Sequence, residues 1–182
     1  MRRLIPALLL LAACHGDAQG TSIGNPNKTI ITVAPPGDQV RLTSATLPLS
    51  GIEVDGDPVD VPEGTDALQG IQVDLPNWLT SVRLELDGTF DLTGTEGDAE
   101  VDLQLDLQEV EVLVLRVPFT PGEPHVFELA APGWLDADQV GWVRGEDHRI
   151  DPESPEHDAL VLAVRQGSSL LPDEDGDGVP DR

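Results

Sequence analysis

One cysteine, one methionine and no tyrosine stand in a chain of 182 residues, and three Phe with three Trp make up its whole aromatic content. A single cysteine rules out a disulfide framework, so stability must come from an apolar core or from a bound ion. Positive charge is equally scarce, with 10 Lys and Arg against 34 Asp and Glu and a net charge of −24. Such a surface is repelled by phosphates and anionic headgroups, which argues against nucleic-acid binding and against peripheral electrostatic attachment to membranes. Long apolar runs are missing too. The stretch Leu4 to Leu11 falls far short of the roughly 20 residues that span a bilayer, so it is not a stable transmembrane anchor.

Catalytic patterns are likewise absent. There is no G-x-S-x-G elbow, and no two histidines stand at H-x-H or H-x-x-x-H spacing. His148 in "GEDHRID" and His157 in "PEHDA" read as solvated imidazoles beside acids rather than metal ligands. Paired carboxylates for glycoside hydrolysis carry no weight, because with 34 acids some pair always lies at a workable distance. No catalytic residue is therefore assigned, and the expectation is a non-catalytic interaction or structural module and not an enzyme, with a glycan-binding module or a carboxylate-dependent hydrolase as the alternatives.

What is present begins at the amino terminus. Arg2 and Arg3 precede the apolar run, as in an export signal. No alanine has a second alanine two places on, so an ordinary A-x-A cleavage site is missing. The run ends in Leu11-Ala12-Ala13-Cys14. That stretch resembles the lipobox of bacterial lipoproteins, in which the leader, here residues 1–13, is removed and the cysteine is acylated. The resemblance implies lipidation at Cys14 and a membrane contact made by acyl chains, each buried methylene contributing about 0.8 kcal/mol. Loss of Arg2 and Arg3 deepens the net charge by two units. Residues 14–28, "CHGDAQGTSIGNPNK", read as the lipidated cysteine and a flexible tether.

Residues 29–170 read as one folded domain. In "VDLQLDLQ", Val101, Leu103, Leu105 and Leu107 alternate with polar residues, as a half-buried strand requires. At Glu109 the apolar set moves to Val110, Val112 and Val114, which predicts a bulge or a break between two strands. Around Asp87-Gly88-Thr89 the alternation favours a three-residue hairpin loop pairing Leu86 with Phe90. One uninterrupted strand keeps the same parity. Further strands are expected over Ile30 to Ala34, Val40 to Val54 with an interruption near Pro48, Ile71 to Leu75 and His125 to Ala130. Helix is expected from Ser154 as N-cap and Pro155 to Gly167, with Leu160, Val161 and Val164 as its apolar stripe, and a shorter turn from Trp134 to Val140. The fold class is mainly β: an antiparallel β-sandwich with one or two short C-terminal helices.

Two stretches carry candidate binding chemistry. Trp78, Trp134 and Trp142 could form a glycan-stacking platform, "PNWL" and "PGWL" placing two of them after turns; core burial is the favoured reading. The second stretch, residues 171–182, reads "LPDEDGDGVPDR". Asp173, Asp175, Asp177, the Val179 carbonyl and Asp181 fall at positions one, three, five, seven and nine of a calcium loop, with Gly178 at six. The pattern resembles the helix-free calcium repeats of thrombospondin type 3 domains more than an EF-hand, whose bidentate glutamate and second helix are missing. A solvated acidic terminus is the competing reading. With a dissociation constant of about 0.1 mM and about 1 mM free calcium, binding would stabilise the fold by roughly 1.4 kcal/mol.

Taken together, the lipobox, "GTSIGNP", the acidic β-rich domain, "PGWLDA", "HDALVLAVRQGSSL" and the Asp-rich close resemble uncharacterised lipoproteins of myxobacteria and related Gram-negative bacteria. The resemblance implies a cell-envelope location at the outer membrane, periplasmic or surface-exposed, and supplies no functional residue. The expected partners are the membrane through the lipid and an unidentified envelope protein or glycan.

Overall fold

The computed structural model describes residues 27–37, 40–63, 66–76, 79–115, 123–135 and 148–181. Alternation of apolar and polar residues produces most of the strands found there. They are β1 (Asn27–Val33), β2 (Val40–Thr46), β3 (Leu49–Val54), β4 (Asp57–Val59), β5 (Ile71–Leu75), β6 (Ser81–Leu86), β7 (Thr89–Glu96), β8 (Ala99–Asp106), β9 (Val110–Leu115), β10 (His125–Leu129), β11 (His148–Ile150) and β12 (Ser169–Pro172). A helix, α1 (His157–Gly167), lies between β11 and β12. Among the described residues no helix is long and apolar enough to cross a membrane.

The strands form three four-stranded sheets, ordered β12-β10-β1-β5, β11-β8-β7-β2 and β4-β3-β6-β9. The second and third are joined by three chain segments that bend from one into the other, β2 into β3, β6 into β7 and β8 into β9. The bends lie side by side, with the Asp87 N–H donating to the Pro48 carbonyl (2.9 Å) and the Leu107 N–H to that of Gly88 (2.8 Å). The expected Asp87-Gly88-Thr89 hairpin is thus corrected. Leu86 lies opposite Leu49 and Val110, and Phe90 opposite Leu105, so β6 and β7 do not pair with each other. Continuous parity through the bend keeps Leu84, Leu86, Phe90 and Leu92 in the core, which is what the uninterrupted-strand alternative required. The phase change near Glu109 is the break between β8 and β9, and Glu109 takes a left-handed φ of 54° there.

Two ladders are parallel, β1 with β10 and β8 with β11, and the other strand pairings are antiparallel. The sheet containing β1 faces the one containing β3, with Ile31, Val73 and Phe127 meeting Ile52, Val82 and Leu84 across a shared apolar gap. Nearly all buried apolar side chains belong to one cluster. Asp55, at a φ of 52° after β3, ties that strand to the start of β6. Its carboxylate accepts the Thr80 hydroxyl (2.7 Å), the Thr80 N–H (2.9 Å) and the Ser81 N–H (2.8 Å).

Helix α1 buries Leu160 and Val164, two members of the expected stripe, and ends at the expected glycine. Its beginning differs. Glu156 occupies the N-cap without a side-chain bond, because the Ser154 hydroxyl donates instead to Asp151 (3.0 Å) in the preceding turn. His157 Nε2 meets the Asp106 carbonyl at 2.8 Å, and Arg165 donates to the Glu111 carbonyl (2.9 Å) on edge strand β9. A Cβ on Gly167 would come within 2.5 Å of the Ala131 nitrogen, so the helix end rests directly on backbone that follows β10. The chain then adds β12 to the free side of β10. The expected turn from Trp134 to Val140 lies mostly outside the described residues.

Candidate metal centre

Strand β12 delivers the acidic stretch to a defined place. Pro172 stands opposite His125, and the Asp173 N–H continues the ladder by donating to the Pro124 carbonyl (3.1 Å). Asp173 is fully buried, at 0 % exposure. Its two carboxylate oxygens accept main-chain N–H groups from Asp177 (3.1 Å) and Gly178 (3.1 Å), which curls the following residues around it. That curl needs left-handed backbone at Gly176 (φ 72°) and Gly178 (φ 82°), a conformation glycine adopts without a Cβ penalty.

The remaining aspartates continue the pattern outward. Asp175 accepts the Asp177 N–H (3.2 Å), and Asp177 accepts the Val179 N–H (2.8 Å). One carboxylate oxygen from each of Asp173, Asp175 and Asp177 falls within 4.8 Å of the others, Asp173 buried and the other two exposed. Oxygens bound to one calcium ion at 2.3–2.6 Å are spaced on that scale. Asp181 does something else: its N–H donates to the Pro172 carbonyl (3.0 Å) and its carboxylate accepts the Glu174 N–H, closing the loop upon itself. The Val179 side chain is exposed.

Charge is unbalanced here. Pro172 to Asp181 carries five acidic residues and no basic one. His125, 1 % exposed and beside Asp173, is a poor counter-charge. Burial holds its imidazole below the ordinary histidine range, against the opposing pull of the Glu123 carbonyl and the charges of Glu123 and Asp173. Converging carboxylates, one of them wholly buried, are costly without a cation, and hard divalent cations prefer such an all-oxygen set. The three carboxylates therefore form a partial ligand set for a metal ion.

The local half of this site was visible in the aspartate and glycine spacing. The distant half, Pro124, His125 and Ile30, carried no sequence signal; Ile30 Cδ1 lies 3.3 Å from where a Gly178 Cβ would be, so the loop is seated on β1.

Trp134 is not available for glycan stacking. It is 9 % exposed, donates its indole N–H to the Ala34 carbonyl (3.1 Å) and stacks on Phe90 with centroids 6.3 Å apart. Trp78, Trp142 and Cys14 lie outside the described residues. A separate cleft of about 250 Å³ is lined by Ser50, Glu85, Leu86, Asp87, Glu109, Val110 and Glu111. Comparison with protein-family models, with curated proteins and with solved structures finds no match for this chain.

Proposed function

We propose that this protein is a lipoprotein of the bacterial cell envelope, attached through Cys14, whose β-sandwich is stabilised by one calcium ion at Asp173, Asp175 and Asp177. It serves as a non-catalytic interaction or structural module for an envelope partner. The observation that carries the calcium reading is the convergence of three carboxylate oxygens within 4.8 Å around a fully buried Asp173. The leader and the Leu11-Ala12-Ala13-Cys14 stretch support the anchor. The sheet register supports a link between the two. Thr29, His125 and Pro172 lie side by side, so the loop sits at the end where β1 begins and the chain leads back towards Cys14.

Calorimetric titration of the full chain with calcium tests the site. The expected result is one site with a dissociation constant on the order of 0.1 mM that Asp173→Asn abolishes. Absence of heat or of a shift in the unfolding midpoint at millimolar calcium would defeat the reading. Fractionation of a Cys14→Ser variant tests the anchor independently: it should leave the membrane fraction while keeping its calcium response.

A further inference from the structure

We draw no further inference here: the strongest candidate, the acid-lined cleft of about 250 Å³ formed by Ser50, Glu85, Asp87, Glu109 and Glu111 where β6 and β9 meet the bend, is a gathering of carboxylates with no second observation that points to a ligand.

Discussion

Asp173 shows how burial changes the meaning of an acidic residue. Asp175 and Asp177 could be solvated like most acids on this surface, whereas Asp173 has exchanged water for two main-chain donors. Asp173→Asn should remove the calcium response and also lower calcium-free stability by about 1–3 kcal/mol, since its amide NH2 would face one of the two main-chain N–H groups that the carboxylate accepts. Thr29 offers a second test. Its hydroxyl is buried against an apolar gap with no hydrogen-bond partner among the described residues, so Thr29→Val should stabilise the fold by about 1 kcal/mol. Denaturant unfolding measures this, and a lower midpoint would show that the hydroxyl is satisfied in solution. Asp55 links stability to pH. Its donors, the Thr80 hydroxyl foremost, hold the carboxyl below its ordinary value of 3.8. A depressed folded pKa means stabilisation present above the unfolded value and lost as pH falls through the folded one. Asp55→Asn should therefore lower the unfolding midpoint at pH 7, and the gap from wild type should narrow as pH falls below about 4; a gap independent of pH would contradict this account.

At the scale of elements, the bends and the bulges govern the architecture. Gly94 faces the irregularity between Leu42 and Ser44, where a Cβ would come within 2.5 Å of the Arg41 carbonyl oxygen. Gly94→Ala should cost about 1–3 kcal/mol through overpacking against backbone that cannot retreat, and equilibrium unfolding reads that loss directly. Long strands were legible in the sequence because alternation is local, as in β5, where the predicted and observed limits coincide. The partner of a strand was not. Parity is the same whether Leu86 and Phe90 face each other across a hairpin or follow each other through a bend, and only distant pairing with Leu49, Val110 and Leu105 decides between them. Strands of three or four residues, β4, β11 and β12, are too short to show a period. β12 is the consequential omission, since it converts an acidic terminus into an ordered loop docked on β1 and β10.

For the whole molecule, the C-terminal segment ties the sheets together in turn. β11 joins β8, α1 lies along β9, and β12 completes the sheet of β10 and β1. An ion at the final loop would hold the last of these contacts, in a chain with no disulfide to do so. Its stabilisation of roughly 1.4 kcal/mol corresponds to about 5 °C in the unfolding midpoint of a domain this size. The most direct measurement is the thermal unfolding midpoint of the full chain and of its Asp173→Asn variant, each with 1 mM calcium and with chelator. The account predicts a rise of about 5 °C for the wild type alone and a variant whose midpoint is the same in both conditions. Equal midpoints for the wild type with calcium and with chelator would contradict it.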